Sequence, residues 1–491
     1  PHWGKERIYN MVENRPDWCI SRQRGWGIPI PIFYCKQCNH TIADQDIINY
    51  VADRFEQHGA DFWFSEDTKN LLPPDARCPE CEGKEFDREK DILDVWFDSG
   101  VSYAAVLEKT DNLAYPADMY LEGSDQHRGW FHSSILTSVE TRNQAPYKSV
   151  LTHGFVVDGK GEKMAKSKGN VIAPEKIIKA YGVDVLRLWV ASADYREDIR
   201  ISDEILKRLS ESYRKIRNTC RFLLGNLCDF DPDQKVDYQN LEEIDRWALH
   251  QLYHLAARVT KAYSSYEFHT IYHLLHNFCV TDLSAIYLDI LKDKLYCSNA
   301  DTDSRKASQT TLLYILTTLI KLMAPILPFT AEELWRYLPP DEEREESVHL
   351  SGFPQLDQRY SNTQLHEKWQ RLFQTRDVVL KVIEEKRADK LIGNSLEAEV
   401  NLEAPDKLFL FLKDCQNILE DLFIVSKVTV SELSSGKDLT LEASLDSLKV
   451  GVSRTNSKKC ERCWKYNESV GEDKDHPLIC HRCAQAVKGN S

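Results

Sequence analysis

The chain has 491 residues, of which 42% are hydrophobic and 29% charged, and carries a formal net charge of −14. That length exceeds one ordinary core and predicts about three to four domains, while the composition excludes a disordered or fibrous chain. The acidic excess excludes a protein coated in non-specific nucleic-acid contacts, yet leaves room for a local basic surface.

Residues 1–202 alternate short apolar runs, glycine turns and helical stretches, which predicts an α/β domain. Within it, residues 33–92 read as an insertion with a Cys-x2-Cys pair at each end: Cys35 and Cys38, then Cys78 and Cys81. The segment "DMYLEGSDQHRGWFHSSILTSVETR" predicts a strand to Glu122, a turn at Gly123 and a helix opening at Ser124 or Asp125. Glu122, Asp125 and Gln126 then stand at the carboxyl end of a strand, where open α/β sheets bind ligands. Further on, "KGEKMAKSKGN" sets Lys160, Lys163, Lys166 and Lys168 within nine positions, flanked by Gly159, Gly161 and Gly169. Such a cluster is more often a solvated face, but ammonium groups on a loop that can bend also suit a polyphosphate whose charge shifts during reaction. "APEKIIKAYG" predicts a short helix with Pro174 in its first turn and Gly182 just past its end.

From Asp203 to about Pro340 the pattern changes to long helices. Ile244, Ala248, Leu252, Leu255 and Val259 form one apolar stripe, and Ile271, Leu274, Leu275 and Phe278 begin another, predicting a helix bundle with a linker to residue 360. The run Leu312 to Phe329 contains Lys321 and two prolines, so it reads as a buried helix ending near Pro325, and no transmembrane segment or signal pattern is expected. Residues 361–453 read as a small α+β unit of helix, strand, helix, strand, followed by a polar stretch rich in serine and leucine.

Residues 454–491 form the last module. Cys460, Cys463, Cys480 and Cys483 have the spacing C-x2-C, sixteen residues, C-x2-C, which suits one tetrahedral Zn²⁺ with no open position. With so few apolar residues, this module needs the metal for much of its folding energy. Its eight basic residues exceed five acidic ones, giving a net +3, and Trp464 and Tyr466 are interleaved, a composition that suits RNA. The longer loop between Cys38 and Cys78 makes the first cysteine set a weaker zinc signal. Fourteen cysteines without a secretory signal predict reduced thiols and a cytosolic location. His127, His132 and His153 lack partners at telling spacings, so none is assigned a general-base role, and no Ser-His-Asp signature stands out.

The lysine loop resembles the KMSKS signature of class I aminoacyl-tRNA synthetases. With it stand "NRPDWCISRQRGWGIPIP", "DVWFDSG", "YLEGSDQHRGWFHSS", "LRLWVASADYREDIRISDEIL" and the four-cysteine tail. Together these are similar to the bacterial isoleucyl-tRNA synthetase family, in order and along essentially the whole chain. The resemblance implies a Rossmann-type catalytic portion, a helical anticodon-binding bundle, a small α+β unit and a zinc module. It implies isoleucine activation by ATP and transfer to tRNA(Ile), in a cytoplasmic and monomeric parent enzyme with Zn²⁺ and with Mg²⁺ accompanying ATP. By residue, it implies Lys163 and Lys166 in catalysis, with Lys166 on ATP; Gly123, Asp125 and Gln126 facing adenosine; Glu122 on the adenylate; and Trp26 and Trp130 lining the isoleucine pocket. Ala165 departs from the motif's serine, which predicts an effect on rate and no loss of function. The HIGH motif of the class is absent from these residues, the chain begins at Pro1, and Pro1 to Asn14 is similar to the return from an editing insertion, so the expectation is a C-terminal half. A zinc-containing RNA-binding fragment without catalysis, or a valyl or leucyl relative, is the alternative.

Overall fold

The computed structural model describes residues 2–433 and 447–489; the polar stretch predicted after the second strand of the small unit falls largely outside them. By contacts the chain divides into two compact units: residues 1–157 with 195–199, and residues 158–194 with 200–491.

The first unit opens with a helix, His2–Glu13. Its insertion is a small sheet in which Phe33–Cys35 pairs antiparallel with both Thr41–Ile42 and Phe86–Arg88. Phe33, Val51, Trp63, Leu71 and Phe86 are buried together there, giving the insertion a core of its own. The remainder is built on the parallel strands Ala117–Gly123 and Tyr147–His153, joined through the helix Trp130–Arg142 as parallel pairing requires. Their register sets Glu122 beside Thr152 and Gly123 beside His153.

One sequence expectation is corrected here. The helix does not open at Ser124 or Asp125: residues Ser124–His127 make a single 3-10 turn, and the α-helix begins at Trp130. Gly129 breaks the two apart at φ −109°, ψ −114°, and a Cβ there would lie 2.7 Å from Gln126 Oε1 and from the Trp96 ring.

The "DVWFDSG" motif proves to be architectural. Asp94 caps the helix Val95–Gly100 through Trp96 N (3.2 Å), and its other carboxylate oxygen accepts from Trp18 Nε1 (3.0 Å) and Arg22 Nη2 (2.6 Å). Gly100 then packs so closely on the helix carrying Trp130 that a Cβ would approach the Ser133 backbone at 3.0 Å.

The second unit holds the lysine loop, the helix Pro174–Tyr181 with Gly182 at φ +89°, and the bundle. Bundle helices run Asp203–Gly225, Glu243–Ser264, Phe268–Cys297, Asp303–Met323 and Pro328–Arg336. Both predicted stripes point inward: Ile244, Ala248, Leu252, Leu255, Val259, Ile271, Leu275 and Phe278 are buried, and Leu274 is half-buried. The run Phe268–Cys297 is long and apolar enough to cross a membrane by length and composition, but Ile271, Leu283, Tyr287 and Leu291 are buried in the protein, as in a core helix. Its middle, Phe278–Tyr287, widens to π-helical geometry; the Cys279 carbonyl accepts instead from Ser284 Oγ (2.7 Å) and Thr219 Oγ1 (3.4 Å).

After the long helix Thr363–Ala388, the small sheet has the order Lys427–Glu432, Ala398–Ala404, Lys449–Arg454. Two elements here escaped the sequence reading. "KLFLFLKDC" is followed by a second helix, Gln416–Phe423, and Lys449–Arg454 is a third strand, antiparallel to the central one. That strand alternates half-buried Val450 and Val452 with exposed residues and is too short to stand out from polar surroundings.

Candidate functional site

In the first unit, the candidate residues cluster where the strand Ala117–Gly123 ends. Glu122 and Asp125 are exposed, Gln126 is half-buried and Gly123 is buried. A Cβ on Gly123 would fall 2.7 Å from Asp125 Oδ1 and 3.4 Å from the Phe155 ring, so the turn tolerates only glycine without displacement. Gln126 has a local role that the sequence did not reveal: its Oε1 accepts from Trp130 N (3.1 Å), while its Nε2 donates to Asp125 Oδ2 (2.9 Å). The amide thus orients the Asp125 carboxylate and starts the helix in one stroke.

Trp130 is half-buried. Its ring stacks on Tyr120 at 4.1 Å and its Nε1 donates to Ser102 Oγ (3.1 Å), a fixed aromatic wall of the kind that shapes an apolar pocket. Trp26, by contrast, is 86% exposed. Tyr120, whose hydroxyl bonds Ser134 Oγ at 3.0 Å, was missed in the sequence because nothing local distinguishes it from a core tyrosine.

The histidines have partners suited to neutral rings. His127 Nε2 lies 2.9 Å from Thr152 Oγ1, and burial, followed by the charge of Arg7, lowers its pKa. Both His132 ring nitrogens lie within 3.1 Å of Arg15 Nη1, and burial, then Arg15 and Arg128, lowers its pKa.

In the second unit, Lys163 and Lys166 are both exposed, and among the described residues Lys160, Lys163 and Lys166 have no carboxylate within salt-bridge distance; Lys168 pairs with Glu162 at 3.1 Å. The loop is nonetheless tied internally. Asn170 Oδ1 accepts from Ala165 N (2.9 Å), and Asn170 Nδ2 donates to Asp158 Oδ2 (2.9 Å). Gly161 and Gly169 take φ of +86° and +67°, which is why glycine flanks the lysines. Among the described residues, three cations without a carboxylate in salt-bridge distance thus stand on a tied loop.

The two cysteine sets each bring four Sγ atoms within 4.8 Å of one another. Cys463 and Cys480 are separated by 3.8 Å, Cys35 and Cys81 by 3.5 Å, and Cys38 and Cys78 by 3.5 Å. Four thiolates about 2.3 Å from one Zn²⁺ require edges of about 3.8 Å. Cys480 N additionally donates to Cys460 Sγ (3.3 Å), as a thiolate ligand favours.

The C-terminal module's basic residues divide in a way the composition did not reveal. Arg482 binds Asp293 of the bundle, Lys465 binds Asp421 (2.6 Å), Arg462 donates to the Cys297 carbonyl and Arg454 pairs with Glu397 (3.6 Å), so four of the eight bind outside the module within the protein. Trp464 remains 60% exposed, with Lys459 5.3 Å from its ring centre.

Residues 1–202 match the family of class I tRNA synthetases (I, L, M and V), residues 245–402 the anticodon-binding domain of tRNA ligases, and residues 457–486 the zinc finger found in FPG and IleRS. Residues 1–202 carry a class I tRNA synthetase domain. Relatives named isoleucine–tRNA ligase include those of Syntrophotalea carbinolica, 56% identical over 491 residues, and Geobacter sulfurreducens, 53% identical over 489. In both cases the match takes in 99% of this chain and 52% of the relative, so the chain spans about half the length of the curated relatives it matches. At the level of fold, it resembles a LeuRS from Agrobacterium radiobacter K84 in complex with tRNA and LeuAMS, with 22% identity and a TM-score of 0.51 over 72% of this chain and 45% of that one. The synthetase resemblance read from the motifs is therefore borne out, as is zinc at the C-terminal set.

Proposed function

We propose that this chain takes part in an isoleucine–tRNA ligase reaction: isoleucine and ATP give isoleucyl-adenylate and pyrophosphate, and the acyl group passes to tRNA(Ile). The observation that carries the reading is the lysine loop, whose exposed Lys163 and Lys166 have, among the described residues, no carboxylate within salt-bridge distance while the backbone beneath them is tied. The isoleucine carboxylate attacks the α-phosphorus of ATP and pyrophosphate leaves, with no covalent bond to the protein. Such a step needs orientation and neutralisation of phosphate charge, and ammonium groups on a loop supply both. Lys166 contacts ATP. Gly123, Asp125 and Gln126 face the adenosine, and Glu122 faces the adenylate. Trp130, braced by Tyr120 and Ser102, lines the side-chain pocket with Trp26. Mg²⁺ travels with ATP, held mainly by phosphate oxygens and water.

The division of labour follows the segments: residues 1–202 for activation, 203–360 for the anticodon arm, 361–453 as a small α+β unit, and 454–491 as a zinc module. A second Zn²⁺ sits among Cys35, Cys38, Cys78 and Cys81, where the sulfur spacing fits a closed structural site. The enzyme works as a monomer in the cytoplasm.

The test is isoleucine-dependent exchange of labelled pyrophosphate into ATP, measured on this chain alone and on the chain combined with the part of its relatives' length that it does not span. Exchange in the combination, reduced about 100-fold by Lys166→Ala, is the expected result. Silence in both, with tRNA(Ile) still bound, would replace this reading with a non-catalytic RNA-binding role.

A further inference from the structure

We propose that Asp158 and Asn170 are positioning residues for the lysine loop: the two side chains form a clasp that holds Lys163 and Lys166 in the geometry used on ATP. The inference rests on the loop's proposed role and adds to it a mechanism for ordering the cations.

The clasp spans the loop from end to end. Asp158 closes the strand Val156–Asp158, and Asn170 lies twelve residues later, beyond the last lysine. Asp158 Oδ1 accepts from the backbone N–H groups of Lys160 (3.0 Å) and Glu162 (2.9 Å), and its Oδ2 accepts from Asn170 Nδ2 (2.9 Å). Asn170 faces inward with both ends of its amide. Oδ1 takes the Ala165 N–H (2.9 Å), and Nδ2 also reaches the Lys163 carbonyl (3.4 Å). Backbone bonds from Asp158 N to Glu162 O and from Gly161 N to Asp158 O, each 2.9 Å, close the first turn beneath. Hence the backbone of Lys163 and the residue before Lys166 are both gripped by one amide, while the Lys163 and Lys166 side chains have no ion pair among the described residues.

The geometry needs one donor and one acceptor facing each other. Aspartate at 158 offers only acceptors, and asparagine at 170 supplies the donor. Hydrogen bonding from Asn170 and from the Glu162 and Lys160 amides lowers the Asp158 pKa, so the acceptor persists at neutral pH. Without the clasp the four lysines would repel one another on a chain segment with three glycines, and the loop would sample open forms.

Reciprocal substitution gives the test. Asn170→Asp places two carboxylates face to face, and Asp158→Asn leaves two amides without the charge. The double exchange, Asp158→Asn with Asn170→Asp, restores a donor opposite an acceptor with the two roles swapped, keeps the acceptors for Lys160 N, Glu162 N and Ala165 N, and loses only the long bond to the Lys163 carbonyl. The first readout is the rate of trypsin cleavage after Lys163, Lys166 and Lys168 in this chain. Asn170→Asp should raise it about tenfold and the double exchange should return it towards the parent value. The second readout is pyrophosphate exchange in the combined enzyme, where Asn170→Asp should lower kcat about 10- to 100-fold and raise KM for ATP while leaving KM for isoleucine unchanged. Unchanged cleavage in Asn170→Asp, or no rescue by the double exchange, overturns the clasp. Altered and rescued cleavage with unaltered exchange overturns its role in positioning the lysines. A parent enzyme silent in exchange overturns the proposed function and the catalytic part of this inference, while the cleavage rates still report on the clasp itself.

Discussion

Arg482 of the zinc finger grips Asp293 of the bundle helix with both guanidinium arms, at 2.6 and 2.7 Å. Burial alone would push the Asp293 carboxyl up, but the hydrogen bonds and charge of Arg482, with Lys465 close by, outweigh it and hold the pKa below the usual value. Bidentate pairing makes arginine hard to replace: lysine offers one point charge where the fork makes two parallel bonds. The finger is a small element with Cys460, Val470, Cys480 and Cys483 as its buried core, so its shape, and hence the aim of Arg482, depends on the metal.

Chelation of zinc should therefore undock the finger while leaving the bundle folded. Trypsin added after chelation should cut first after Arg462, Lys465 and Arg482, with circular dichroism of the bundle helices nearly unchanged. Arg482→Lys should produce part of the same sensitivity with zinc still bound, at a cost of up to about 1 kcal/mol for an ion pair whose arginine is half exposed. Native mass spectrometry should count two zinc ions per chain, falling to one in Cys460→Ser.

Gly154 marks a close approach in the first unit. A Cβ at this position would lie 2.3 Å from the Glu197 carbonyl oxygen and 2.7 Å from Asp198 N, both backbone atoms that cannot swing aside. Gly154 N donates to Tyr195 O (2.7 Å) and Phe155 N to Asp198 Oδ1 (2.7 Å), so the two segments are bonded on each side of the contact. Gly154→Ala should destabilise the unit by about 1–3 kcal/mol, read as a lower midpoint in urea. Since His153 is paired with Gly123, the displacement should also reach the strand that carries Glu122.

His250, in the helix Glu243–Ser264, gives the chain a pH-dependent joint. Its Nδ1 accepts from Asn362 N (2.9 Å), and its ring lies 4.4 Å from that of His254 and 4.9 Å from that of His366. Burial, followed by the charges of those two histidines, lowers its pKa to about 4. A depressed histidine contributes stability that is fully present above the ordinary value of about 6.5 and is lost as pH falls towards 4, because the unfolded chain binds a proton that the folded chain refuses. One such group changes stability by up to about 1.4 kcal/mol per pH unit. Asp245, pushed by burial up to about 6, acts in the opposite direction below pH 6, so the informative quantity is the variant against the parent. His250→Asn, which keeps an acceptor for Asn362 N and cannot titrate, should lose less of its urea midpoint between pH 7 and pH 5 than the parent does.

What the sequence made legible were features with a local signature. Helical stripes such as Ile244 to Val259, the Pro174 and Gly182 boundaries, and both cysteine sets follow from spacing along the chain. Features created by contacts between distant positions were not legible. Asp158 reaching Asn170 and Arg482 reaching Asp293 depend on where the fold returns the chain, and Gln126, legible only as a candidate ligand contact, gave no sign that it also caps the Trp130 helix. The helix that begins at Trp130 was misplaced for a related reason. No local signature marks Gly129 as a break; the closeness of Trp96 and Gln126 accounts for it.

Ala165 offers a gain in place of a loss. It sits just before the 3-10 turn Lys166–Lys168 with extended backbone, φ −145° and ψ 142°, and its carbonyl already accepts from Lys168 N (3.0 Å). This is the position at which a serine hydroxyl caps the free N–H groups of the following turn, and alanine has no group to do so. Ala165→Ser should therefore stiffen the turn that presents Lys166, by about 0.5 kcal/mol at this short, exposed element. In the combined enzyme that predicts pyrophosphate exchange raised about twofold, through KM for ATP as much as through kcat. A parallel fall in trypsin cleavage after Lys166 would tie the gain to the turn. A fall in exchange would mean instead that the alanine is accommodated elsewhere in the loop and that the added hydroxyl competes with Asn170 for the backbone.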